Sequence, residues 1–150
     1  MIRSSLIYVE RDGKYLMLHR VKKKNDLNKD KWIGVGGKFE NDETPHECAA
    51  REMREETGLI PSELSYRGIV YFHSELEDEE MHLFTCTEFT GEITDCDEGT
   101  LEWVEKESVT SLNLWEGDRV FLKLLAEDAP FFELELVYNG DKLVNSRLLP

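Results

Sequence analysis

The sequence predicts an α+β fold, a mixed β-sheet sandwiched by helices, and three observations lead there. Strand-like segments outnumber helical ones, the two longer helical segments sit far apart in the order, and two hairpin signatures frame the chain, at Asp12-Gly13 and Asn139-Gly140. No internal repeat, low-complexity tract or linker interrupts the 150 residues, so a single domain over 1–150 is expected.

Taken in order, Ser5–Val9 and Tyr15–Arg20 are short apolar segments around Asp12-Gly13. The polar stretch Val21–Lys31 reads as a loop. Trp32–Phe39 carries Gly34, Gly36 and Gly37, a composition suited to a backbone that bends or lies close to another group. The clearest helix start follows. Thr44 is a suitable N-cap, Pro45 fits the first helical position, Glu47 completes a capping box, and Gly58 is placed to end the helix after Thr57. Leu64–Ser74, Met81–Phe89 and Leu101–Val104 read as strands. Trp115–Glu127 has helical periodicity, with Val120/Leu124 and Phe121/Leu125 at i, i+4. Phe131–Tyr138 and Lys142–Leu149 form the closing hairpin.

Composition excludes several functions. A formal net charge of −14 repels a nucleic-acid backbone. The one basic run, Arg20-Val21-Lys22-Lys23-Lys24, is a solvated loop or a local phosphate grip. No apolar run approaches the roughly 18 residues that span a bilayer, and the N-terminus lacks a secretory pattern. The expectation is a cytoplasmic protein with no nucleic-acid polymer, membrane or obligate protein partner. Cys48, Cys86 and Cys96 are read as reduced thiols, with Cys48 and Cys86 in or near the core. His19, His46, His73 and His82 are too scattered for zinc.

The helix over 44–57 carries the chemistry. Glu52, Glu55 and Glu56 fall at about 0°, 300° and 40° around its axis, a single acidic stripe. They also lie toward the C-terminal end, where the macrodipole disfavours negative charge, and like charges at i, i+3 and i, i+4 repel. Choices made against local stability suggest a compensating cation. Oxygen-only ligands select a hard ion, Mg2+ with Mn2+ as a substitute. Arg51, at i−4 from Glu55, can orient Glu55 or Glu43. The competing reading is an ordinary solvent-facing helix in a Glu-rich chain.

The full stretch decides between these readings. Gly37, Glu43, Arg51, Glu52, Met53, Glu55, Glu56, Gly58 and Leu59 occupy every fixed position of the pattern G-x5-E-x7-R-E-U-x-E-E-x-G-U, with U apolar. Residues 37–59 therefore resemble the Nudix box. The segments around Trp32, Asp97–Trp103 and Trp115–Asp118 are further similar to bacterial MutT-type enzymes of the MutX kind, a group associated with 8-oxo-dGTP hydrolysis. The resemblance implies an α/β/α sandwich around a mixed sheet, and cleavage of a nucleoside triphosphate to monophosphate and pyrophosphate. It implies Glu52, Glu55, Glu56, Glu98 and the Gly36 carbonyl as metal ligands. Glu43 and Arg51 match positions that more often support the helix than touch substrate, Arg51 still counting in the catalytic set. Glu55 or Glu98 would take the proton from the attacking water.

Base recognition is read from fewer residues. Trp115 is a core aromatic or a plate for a base, and Asp118 a purine-edge acceptor or a first-turn acid favoured by the helix dipole. Arg20 and Lys38 suit phosphate contacts, or are plain surface charges. With Gly36, Gly37, Trp115 and Asp118 they complete the expected substrate-binding set. Two positions depart from the mammalian relatives of this branch. Gly117 stands where they carry the first of two adjacent aspartates, and Ile33 where they carry an asparagine that touches the base. The alternatives are a Nudix enzyme acting on ADP-ribose, a nucleotide sugar or a dinucleoside polyphosphate, and a non-catalytic nucleotide-binding module.

Overall fold

The computed structural model describes residues 1–22, 28 and 30–150, so the expected loop over 21–31 and the basic run at 20–24 fall partly outside the described residues. Hairpin chemistry acts first. Asp12 and Gly13 both take positive φ, 53° and 77°, which turns β1 (Ile2–Arg11) back into β2 (Lys14–His19) with the twist that antiparallel strands need. The two strands pair only at the turn end, from Val9↔Leu16 to Arg11↔Lys14. Beyond it they part. β3 (Trp32–Ile33) pairs with Leu18 and His19, while β4 (Val35–Lys38) pairs with Ser4–Ile7 on β1. The glycine-rich segment thus crosses from one strand to the other at Gly34.

Four longer strands extend the sheet: β5 (Ile60–His73), β6 (Glu79–Thr90), β8 (Phe132–Asn139) and β9 (Lys142–Leu148). The order is β3-β2-β1-β6-β5-β8-β9, with β4 on β1 and β7 (Thr100–Glu105) on β2. The β1–β6 and β5–β8 pairs are parallel and the others antiparallel, so the sheet is mixed, as expected.

Period-2 alternation feeds two cores. On β1, Ile7 and Val9 face α1 (Pro45–Thr57) together with Leu16, Leu18, Ala49, Met53 and Phe84. Leu6 and Tyr8 face the other way, toward Met17, Leu83 and Leu134, and toward Phe121 and Leu125 of α2 (Glu116–Ala126). One helix on each face makes the α/β/α sandwich. The α1 boundaries follow their chemistry. Thr44 Oγ accepts from the Glu47 N–H, Glu47 answers the Thr44 N–H, and Gly58 closes the helix at φ 84°.

Several boundaries shift from expectation. β5 begins at Ile60, directly after the helix cap, and carries bulges through residues 61–68; β1 and β6 are also longer than their apolar runs, because sheet pairing continues through polar residues. Trp115 occupies the N-cap position of α2 with no side-chain cap. A 3-10 helix over Lys106–Ser111 has no periodic signal in the sequence. All three cysteines are reduced and buried, Cys96 included. No helix among the described residues is long and apolar enough to cross a membrane.

Candidate active site

The site forms where β4 lies against the C-terminal half of α1, and two glycines make that contact possible. A Cβ at Gly36 would stand 2.0 Å from the Ser5 carbonyl oxygen, and its φ of 156° is one that side chains rarely adopt. At Gly37 a Cβ would stand 2.6 Å from the Glu52 carboxylate. Gly37→Ala is therefore expected to keep the fold yet lower kcat by roughly tenfold or more by displacing Glu52, since small misplacements of reacting groups are costly. Circular dichroism and steady-state kinetics on one preparation check this.

The acidic stripe does not present itself as three equal carboxylates. Glu56 is buried, and one of its oxygens accepts the Gly36 N–H at 2.7 Å. Burial, then the neighbouring Glu98 carboxyl and Glu52, push its pKa up to about 9. Burial also raises Glu52, against the pull of Arg51. Glu55 is half-exposed and turned to Arg51 at 3.1 Å. Glu98 arrives from the segment before β7 and meets the Arg20 guanidinium at 3.3 Å. The structure therefore brings Glu52, Glu56, Glu98 and Gly36 together, with Glu55 on the rim.

Arg51 holds this arrangement. Its guanidinium donates to both Glu43 oxygens, at 2.6 and 2.9 Å, to Glu52 at 2.8 Å and to the Lys38 carbonyl at 3.1 Å. The fork geometry ties the turn after β4 to α1 and fixes the Glu52 rotamer. The same bonds hold the Glu43 carboxyl below its usual range. Arg51→Ala is expected to cost about 3 kcal/mol, because it leaves partly buried carboxylates unpaired. Urea denaturation measures it, and Arg51→Lys should recover only part of the loss.

On the other face of the sheet, α2 carries Trp115 at its N-cap and Asp118 in its first turn. Trp115 is half-buried, edge-on to Tyr138 at 5.7 Å, with its indole N–H on Asn28 and the Lys31 ammonium 4.9 Å over its ring. Asp118 is 5% exposed, and burial raises its pKa to about 7 against the pull of Lys31 and Arg119. Trp32 stacks face to face on His19 at 4.3 Å, and His19 in turn contacts Asp30. Lys38 is exposed, its carbonyl taken by Arg51. The sequence marks His19 only as one of four scattered histidines, and it gives no signal for Lys31. Lys31 adjoins Trp32 in the chain, but nothing in the sequence places it over Trp115.

The profile of the NUDIX domain matches residues 2–125. The chain belongs to the Nudix family. Known proteins agree with this over most of the length. An oxidized purine nucleoside triphosphate hydrolase from Danio rerio is 27% identical over 146 residues, covering 96% of this chain and 92% of the relative. Its namesake from Mus musculus is 29% identical over 111 residues, 73% of this chain and 71% of the relative. Among solved structures, a MutT protein from Bacillus halodurans superposes with a TM-score of 0.87 at 27% identity, over 99% of this chain and 97% of that one. This Nudix chain is accordingly a hydrolase of MutT-like fold, its box falling at the carboxylates described above.

Proposed function

We propose that this Nudix hydrolase uses magnesium to cleave oxidised purine deoxynucleoside triphosphates, 8-oxo-dGTP foremost, to the monophosphate and pyrophosphate. It would act in the cytoplasm as one domain over residues 1–150, clearing damaged nucleotides. The carrying observation is the convergence of Glu52, Glu56 and Glu98 on the Gly36–Gly37 backbone. Burial first, then the neighbouring Glu98 and Glu52 carboxyls, raise the Glu56 pKa to about 9, while Arg51 and Arg20 pair with Glu52 and Glu98 from the flanks. Among the described residues no three acidic, His or Cys side chains are placed to hold a metal ion by themselves, so the Gly36 carbonyl and substrate phosphates would have to complete the shell. An open, oxygen-only donor set is what magnesium takes when substrate phosphates complete its shell.

Glu52, Glu56, Glu98 and the Gly36 carbonyl would hold the ion, which when bound neutralises charge on the phosphates. The chain's own residues do the rest. The Gly36 N–H fixes the Glu56 carboxylate, Arg51 fixes Glu52, and Arg20 stands beside Glu98 within reach of a phosphate. Glu55 on the rim and Glu98 are the two carboxylates available to take a proton from the attacking water. Asp118 reads the base, and the Trp115 ring, which now faces the Lys31 ammonium, offers it a stacking surface. Support for the substrate class comes from the two relatives that carry it in their names.

Product analysis tests the reaction. Phosphorus NMR of 8-oxo-dGTP turnover should show pyrophosphate with no free phosphate, and EDTA should stop it. Stepwise release of single phosphates would refute the reading. Separate Glu55→Gln and Glu98→Gln variants should differ, the true base being the one whose loss removes the acidic limb of the pH–kcat profile.

A further inference from the structure

Phe39 is a large apolar residue in the turn that follows β4, at a position where the box pattern fixes nothing. Three contacts hold it. Its N–H donates to the Arg3 carbonyl at 2.9 Å, which carries the β1–β4 pairing one residue past Ser4↔Lys38. The Arg3 guanidinium stands 4.6 Å from the centre of its ring, and the His82 ring lies tilted against it at 5.3 Å. One carboxylate oxygen of Glu80 ties those two together, accepting from Arg3 Nε at 3.0 Å and from His82 Nε2 at 2.9 Å. Burial raises the Glu80 carboxyl, but the bonds from His82 and Arg3 outweigh it and leave the group below its usual range, hence ionised near neutral pH. His82 is buried, and burial lowers its pKa; its neutral ring donates to Glu80 through Nε2 and accepts from the Tyr66 hydroxyl at Nδ1.

The neighbours of Phe39 in the chain show what this clamp serves. Just before it, Gly37 lies so close to Glu52 that a Cβ would meet the carboxylate, and Lys38 gives its carbonyl to Arg51 at 3.1 Å. The same guanidinium donates to Glu52 at 2.8 Å. Just after it, the Glu40 N–H donates to Glu43 at 2.8 Å, and Glu43 takes two further bonds from Arg51. The bonds through which Arg51 holds Glu52 thus run to the turn that Phe39 fastens to β1 and β6. A reacting carboxylate is only as well placed as the backbone its supports lean on. We propose that Phe39 is a positioning residue for the metal site: the Arg3–Glu80–His82 clamp fixes its ring, and through the Lys38 carbonyl and Arg51 it sets the Glu52 carboxylate. The inference rests on the reading of Glu52 as a metal ligand and extends it to a device on β1 and β6.

Phe39→Leu keeps an apolar side chain and the backbone bond to Arg3 but loses the ring; Arg3→Met, at an exposed side chain, removes one arm of the clamp and leaves Phe39 in place. Mn2+ is titrated into the free enzyme, with unbound ion followed by electron paramagnetic resonance, and 8-oxo-dGTP kinetics are run alongside. Phe39→Leu should weaken Mn2+ binding roughly tenfold and lower kcat by a similar factor, with KM for the nucleotide held within about twofold. Arg3→Met should act in the same direction, by roughly threefold. In an Arg51→Lys background Phe39→Leu should add little, because the two changes cut one path. Native Mn2+ affinity in both single variants, additive losses in the double variant, or a rise in KM with kcat intact would each overturn the proposal. The Mn2+ measurement holds whichever nucleotide is the substrate. If the native chain itself binds no Mn2+, the metal reading fails and the proposal falls with it; if the native chain binds and the variants match it, Phe39 alone is wrong.

Discussion

Replacing Glu56 by Gln is expected to lower kcat by at least roughly a thousandfold, about 4 kcal/mol of transition-state stabilisation, while the protein stays folded. The geometry separates the two effects. A Gln side chain keeps an oxygen to accept the Gly36 N–H, the contact that Glu56 makes at 2.7 Å, and preserves the buried volume beside Met53 and Thr57. What it loses is the capacity to ionise when a cation arrives at the point where Glu52 and Glu98 also converge. Magnesium affinity, followed by calorimetry in the absence of nucleotide, should fall together with kcat. Turnover near that of the native chain would remove Glu56 from the metal site and leave the buried carboxyl without a role.

The second large effect is expected at Asp118. Asp118→Ala should raise KM for the preferred purine triphosphate by roughly 10–100-fold, the worth of a hydrogen bond to a charged group, and leave kcat nearly unchanged. An equal effect on pyrimidine substrates would count against base reading. The carboxyl titrates near pH 7, and it accepts from the base when ionised. Affinity for the preferred purine should therefore improve as pH rises through 7 and then level off, and Asp118→Asn should flatten that profile. Stability runs the opposite way. A carboxyl whose folded pKa is raised favours the fold below its unfolded value, and that contribution is lost as pH rises through about 7. Asp118→Asn should accordingly remove a decline in Tm between about pH 4 and 8. A residue that binds better as the fold weakens is the usual sign of a site selected for function.

Legibility in the sequence divided along a physical line. Features set by neighbours in the chain could be read directly. The Thr44–Glu47 capping box, the Gly58 cap and the Asp12-Gly13 turn depend on φ and on hydrogen bonds a few residues apart, and they stand where expected. The Nudix box is likewise local, and its spacing alone placed Glu52 and Glu56 on one side of a helix. Contacts between distant segments were not readable. The Arg51 contacts with Glu55 and Glu43 were expected, but its simultaneous hold on Glu52 and on the Lys38 carbonyl, from a turn folded back against α1, was not. Trp115 offered two roles from its position. The structure gives it features of both, a core edge on Tyr138 and a ring face toward Lys31.

The central claim is a metal-dependent pyrophosphohydrolase selective for oxidised purines, and the most direct measurement is a magnesium-dependent substrate panel. 8-oxo-dGTP, the ordinary dNTPs, ADP-ribose and a dinucleoside polyphosphate would be compared by kcat/KM on one enzyme preparation. The account predicts at least a tenfold preference for 8-oxo-dGTP over dGTP, with little turnover of ADP-ribose or the dinucleoside polyphosphate. Equal rates on ordinary and oxidised nucleotides, or a preference for ADP-ribose, would contradict it.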